Sequence, residues 1–378
     1  PAAVIPRERG NPSPPPGERR FAGGQYSGPV LRQVSHGIAT GRRQNTVSRR
    51  ASIRRVLRAA LVVPAVLAAA VPAATAADGT VILAAEAVPL NPENEGQVRA
   101  GALLYRGGLA VRSPDPRFGG FSGLAVSRDG AHLTAISDRG AWLRARIRYD
   151  AAGRLSGLGD GRIGPLHGRD GKPLRGLNAD AEALAFLPDG AALVAFERRH
   201  RILRYPAAPD PLAARPTLRP APEGLSAAPS NGGAETLAHI GSGRLFLLTE
   251  NLRVDGGAYA GWIGRKGRWR PFAYARTGGF RPTDATLLPN GDIAVLERHY
   301  TPATGVSARI ALVPRSAVAP GRTVRGRELL HLTPSMTVDN FEGIAARRGP
   351  NSKTVLYILS DDNFNPLQRT LLLMFELP

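Results

Sequence analysis

The chain has 378 residues, 43% of them apolar, no cysteine and a formal net charge of +20. That length suffices for one large all-β domain, and the lack of thiols excludes disulfides, thiolate nucleophiles and cysteine-ligated metals. The charge does not mark a nucleic-acid binder: residues 1–77 hold 12 arginines against 2 glutamates, the rest spreads 38 basic and 28 acidic residues over four times the length, and no basic helix or aromatic–basic motif appears.

Residues 1–47 are rich in Pro, Gly and Arg without apolar periodicity, so they read as a disordered extension. Residues 48–77 have the layout of an export signal: arginines up to Arg58, a run of apolar and small residues from Ala59 to Ala73, and the small-x-small sequence Ala74-Thr75-Ala76. Ser48-Arg49-Arg50 resembles the start of a twin-arginine signal, although Ser52 stands where such a signal has a large apolar side chain. The alternative is a retained anchor, since Ala59–Ala77 could just span a bilayer. Pro64, Pro72 and the alanine-rich composition argue against it. The expectation is a bacterial periplasmic or secreted protein with no stable membrane span after cleavage.

Residues 78–378 carry a repeat. Segments 121–140, 180–200, 233–251, 282–300 and 340–363 each show a polar residue, a short apolar run, a turn with Gly or Asn, a second apolar run and a carboxylate. Short β-compatible runs around a tight turn are hairpins, and near-continuous apolarity suits strands buried on both faces. Leu124, Leu184, Leu237, Thr286 and Ile344, taken as equivalent, are 60, 53, 49 and 58 residues apart, the signature of a radial repeat. Looser outer strands follow each hairpin at 143–150, 200–206, after Gly264, 308–314 and 370–377. The fold class is therefore all-β, a β-propeller. Strand-like runs within 79–113 either add a blade or close the ring with the C-terminal strand; six blades is the preferred count and five the runner-up.

Residues equidistant from a hairpin turn face each other, which pairs Ser122 with Asp138, Glu182 with Glu197, Glu235 with Glu250, Asp284 with Glu297 and Glu342 with Asp361. Propeller geometry brings these pairs to one mouth of the channel, where crowded carboxylates need cations. Arg139, Arg198, Arg199, Arg298 and His299 follow the second acidic position and offer charge-assisted pairs, which alone would make a purely structural ring. An all-oxygen set also suits a hard cation such as Ca²⁺, with Asn178, Asp180, Asn231, Asp339 and Asn340 as further oxygen donors, although no linear D-x-[DN]-x-[DN]-G loop is present. No G-x-S-x-G elbow, H-E-x-x-H, Walker A or G-x-G-x-x-G motif occurs, and no organic cofactor is expected. The histidines lack ligand spacing; His200 and His299 share a repeat position and suit a general acid, a phosphate donor or a solvated rim residue.

The segments SPDPRFGGFSGLAVSRDG (113–130), ISDRGAWL (136–143), RIGPL (162–166), DAEALAFLPDG (180–190), FERRHRILRY (196–205) and DNFEGIA (339–345) resemble the bacterial phytase-like family described as "esterase-like activity of phytase". The resemblance covers about 100–378 and implies an exported propeller with ester or phosphoester hydrolase activity. It brings no assigned catalytic set, so the site follows from the hairpins. Glu182, Glu197 and His299 are the candidate catalytic residues, and Arg139, Arg198 and Arg298 the candidates for binding a small anionic or ester substrate. Glu235, Glu250, Asp284, Glu297, Glu342 and Asp361 are the candidate metal ligands. A non-catalytic periplasmic binding or scaffold propeller and a sugar-lactone hydrolase are the alternative functions.

Overall fold

Alternate side chains of a β-strand point to opposite faces, so a strand clamped between two neighbouring sheets must be apolar on both. In the computed structural model, which describes residues 79–378, this is what the hairpins do. The extension 1–47 and the export pattern at 48–77 lie outside the described residues. Leu193 and Ala195 of one strand join one core cluster, while Ala192 and Val194 of the same strand join another. Five such clusters exist, each built from two neighbouring sheets, so the hydrophobic core is divided into five inter-sheet wedges.

The sheets are blades, antiparallel except where Thr323–Val324 adds in parallel to the edge of the third, with inner strands Phe121–Val126, Ala181–Phe186, Ala234–His239, Arg281–Leu287 and Phe341–Arg348. These inner strands pack against one another in chain order, and the last packs against the first, closing a ring. On either side of the first blade the backbones approach closely: a Cβ on Gly343 would lie 2.8 Å from the Leu124 Cβ, and one on Gly123 would lie 3.1 Å from the Leu184 nitrogen. A side chain at Gly343 would force these strands apart, and one at Gly123 would crowd its neighbours.

The ring has five blades, which corrects the preference for six. Residues 79–113 do not form a sheet of their own. Thr80–Val81 adds to the edge of the first blade, while Leu103–Arg112 pairs with Thr370–Leu377 and supplies the fourth strand of the last blade, with Ala84–Ala87 outside it. The N-terminal segment thus adds to both the first and the last blade. Leu109, opposite Leu372, is fully buried in the wedge between the last and first blades.

Leu109→Ala is expected to cost about 2–5 kcal/mol of unfolding free energy, against less than about 0.5 kcal/mol for Leu367→Ala, whose side chain is exposed. Equilibrium denaturant unfolding checks both values. Equal effects would mean that the N-terminal strand does not hold the ring shut.

Candidate active site

Every inner strand has the same irregularity near its start. Phe121 pairs with Ser137 and Gly123 with Ile136, leaving Ser122 as the extra residue of a β-bulge. The registers likewise skip Glu182, Glu235, Thr283 and Glu342. A bulge leaves its residue out of the ladder and turns the strand locally. The hydroxyl bulges tie blades together: Ser122 Oγ donates to the Ala181 carbonyl, and Thr283 Oγ1 to that of Phe341 at 3.0 Å. The three glutamate bulges instead line the mouth of the channel.

A second ring comes from the adjacent strand ends. The residue just beyond the partner of each pre-bulge residue is Asp138, Glu197, Glu250, Arg298 or Asp361. All five line the same cavity of about 810 Å³. With Asp180 and Asp339 added, nine carboxylates face two arginines, Arg198 and Arg298.

The fourth blade departs from the pattern. Its equivalent bulge is Thr283, one residue before Asp284, and its equivalent strand end is Arg298, one residue after Glu297. Neither Asp284 nor Glu297 lines the cavity. Asp284 is buried and accepts the backbone N–H groups of Ala285 (2.7 Å) and Ile344 (2.8 Å), linking the fourth and fifth blades. Glu297 forms a buried ion pair with Arg309. A one-residue offset along a strand exchanges its two faces, so this blade turns its acids inward and presents a cation to the mouth. Arg298 Nη2 lies 3.3 Å from Glu250 Oε1 and 3.7 Å from Glu342 Oε1, bridging the blades on either side, while its buried Nε has no partner.

Of the other sequence candidates, Glu182, Glu197, Glu235, Glu250, Glu342, Asp361, Arg198 and Arg298 are brought together in the cavity. Arg139 and His299 do not line it. Arg139 stacks over the Phe364 ring at 3.4 Å, and the His299 ring lies 5.5 Å from that of Phe280. His200 Nε2 sits 3.1 Å from the Pro229 carbonyl oxygen, and His200 is not a lining residue either. Asn231, Asp339 and Asn340 are at the mouth, but Asn178 is not among its lining residues. The sequence reading did not single out Tyr300 and Leu367, which are 61% and 89% exposed and form an apolar rim. Leu367 sits on the loop 361–369, where an Asp-Asp-Asn-Phe-Asn-Pro run was the available sign of a turn-rich segment above the hub.

The electrostatics follow from burial. Removal from water pushes the Glu182 carboxyl well above the usual range, reinforced by Glu342, Glu197 and Asp180, and does the same to Glu235 beside Glu182 and Glu197. Burial raises Asp361 to about 8, with Glu342 adding to the shift. Burial raises Glu342 to about 7 against the opposing pull of Arg298, and raises Asp138 to about 6. Glu197 has a fixed cradle: its Oε1 accepts the backbone N–H of Gly232 at 2.6 Å and also that of Gly233. Gly232 has φ of 128°, and a Cβ there would lie 2.5 Å from Asn251, so a side chain would break the cradle.

One oxygen each from Asp180, Glu182 and Glu197 lies within 4.8 Å of the others. A hard divalent cation fits this all-oxygen donor set, and the raised proton affinity of Glu182 shows that a positive charge is favoured beside it.

The family model described as "Phytase-like: Esterase-like activity of phytase" matches residues 116–364. No curated protein sequence matches the chain. Among solved structures, the gluconolactonase XC5397 of Xanthomonas campestris is similar at 14% identity and a TM-score of 0.39, covering 80% of this chain and 96% of its own. The PQQ-bound aldose sugar dehydrogenase of Streptomyces coelicolor is 14% identical with a TM-score of 0.36, over 78% of this chain and 99% of its own. Streptogramin B lyase gives 12% and 0.36, over 74% and 83%.

Asp361, Glu342 and Asp138 hold protons more tightly in the folded chain than in the unfolded one, where carboxyls titrate near about 4. Their contribution to stability is complete below that value and is lost as pH rises through about 6 to about 8. In chelator, the melting temperature should therefore fall from pH 5 to pH 8, by on the order of 10 °C at about 2–4 °C per kcal/mol. Ca²⁺ should restore it, more at pH 8 than at pH 5, because cation and protons compete for the same oxygens. Differential scanning calorimetry decides; a flat profile that is insensitive to Ca²⁺ contradicts the electrostatic account.

Proposed function

The chain belongs to the phytase-like family, and on that membership and the chemistry of its mouth we propose that it is a hydrolase of a phosphate or other ester, with a Ca²⁺-type cation in the acidic cavity. The observation that carries the reading is the convergence of Asp180, Glu182 and Glu197 on one small volume within a cavity where carboxylates far outnumber arginines.

A cation held by Asp180, Glu182 and Glu197 supplies Lewis acidity beside an ester or phosphoryl oxygen. The chain's own groups supply the rest. Arg298, with its unpartnered Nε in the cavity wall, and Arg198, paired with Asp180, orient the anionic part of the substrate. Glu235, a neighbour of Glu182 and Glu197, accepts the proton of the attacking water when ionised. Asp361, raised to about 8, and Glu342, raised to about 7, keep a carboxylic proton near neutrality and give it to the departing alcohol oxygen. Asn340 Nδ2 donates to Glu342 Oε1 at 2.9 Å and holds that carboxyl in place.

Tyr300 and Leu367 at the rim favour an ester with an apolar substituent over a bare polyphosphate. The export pattern at 48–77 fits work outside the cytoplasm, and no helix among the described residues is long and apolar enough to cross a membrane.

Purified protein is expected to hydrolyse aryl phosphates or aryl esters in Ca²⁺ and to lose that activity in chelator. Glu182→Gln should lower kcat on the order of 100-fold while the chelator-treated variant melts no lower than the parent. Steady-state kinetics with calorimetry provide the check. Silence on aryl phosphates, aryl esters and sugar lactones alike would replace the hydrolase with a non-catalytic binding module.

A further inference from the structure

The third blade carries a second charged feature at the end away from the mouth. Its mouth end bears Glu235 and Glu250, whereas the turns His239–Arg244 and Arg265–Arg268 lie at the other end of the same strands. There Arg244 pairs directly with Arg265, and Arg265 with Arg268, so three arginines stand side by side on one sheet face. Arg270, two residues beyond Arg268 and opposite Ile263, shares that face, and Lys266 occupies the turn. Together they line a cavity of about 800 Å³ walled by Val318–Pro320, with no carboxylate in its lining.

Like charges directly opposite on neighbouring strands destabilise a sheet. On other blades some outer-strand cations are neutralised: Arg144 and Arg162 share Asp210, Arg146 meets Asp160, Arg204 meets Asp189, and Arg106 and Lys353 share Glu376. Among the described residues, none of the five cations of the third blade forms an ion pair. A general arginine excess would leave such side chains scattered over a convex surface. Here they are in register around a concavity.

We propose that this cavity is a binding site for a ligand bearing two or more phosphate groups, separate from the acidic mouth. Four arginines and a lysine lining one concavity can offer N–H donors to closely spaced phosphate oxygens, which accept paired N–H bonds. A ligand there would remove the repulsion that the sheet otherwise carries. The phosphates come either from a soluble molecule or from lipid headgroups.

The test is calorimetric titration of the full chain with pyrophosphate in chelator, beside flotation with phosphatidylglycerol and phosphatidylcholine vesicles. Arg265→Glu/Arg268→Glu should weaken binding about tenfold or more. Arg128→Glu/Arg154→Glu, the same charge change on exposed positions of the first blade, should leave it nearly unchanged. Pyrophosphate binding identifies a soluble ligand, and binding confined to phosphatidylglycerol vesicles identifies headgroups. Equal weakening in both variants, or no binding to either probe, overturns the proposal.

Discussion

Carboxylates withdrawn from water next to one another cannot all ionise without a compensating positive charge, and the hub of this propeller is built around that constraint. Nine of them surround the mouth. Three positive sources are open to them: protons, arginines (Arg198 and Arg298 in the mouth, with Arg281 beside Glu250 and Arg369 beside Asp339) and a metal cation. Burial with mutual repulsion raises Glu182, Glu235, Glu342 and Asp361 together, so protons fill the role when nothing else does. Exchange of those protons for a cation would couple stability, metal occupancy and acid–base chemistry in one volume.

The device that creates this crowding is backbone geometry repeated five times. A regular strand would keep the bulge residues within the alternating ladder, facing a neighbouring blade. The added residue turns Glu182, Glu235 and Glu342 towards the axis and leaves the apolar residues on either side still packed. Where the extra residue is Ser122 or Thr283, the side chain is short and its hydroxyl bonds the next blade instead. One backbone feature therefore serves as tie or as ligand according to side-chain length and charge.

Asymmetry within the ring gives the mouth a direction. The second and third blades concentrate Asp180, Glu182, Glu197 and Glu235, while the fourth presents Arg298 between the acids of its neighbours. Arg298 and the Asp180–Glu182–Glu197 cluster thus stand on different blades of one cavity. The rigidity needed to hold them comes from the five apolar wedges and from the N-terminal strand that completes the last sheet.

The hairpins, the all-β class and the gathering of acids at one end were legible in the sequence, because alternation and turn chemistry are local and repeat. The blade count was not. Whether residues 79–113 stand alone or pair with 370–377 depends on contacts between the two ends of the chain, which no local pattern encodes. Nor was the register of the fourth blade. Aligning Thr286 with Leu184 made Asp284 the counterpart of Glu182, whereas the ladder makes Thr283 that counterpart. Local sequence sets the polarity of a strand to within a residue. Which of two adjacent side chains faces the hub is decided by hydrogen-bond register between strands, and with a period of two a single step reverses the answer.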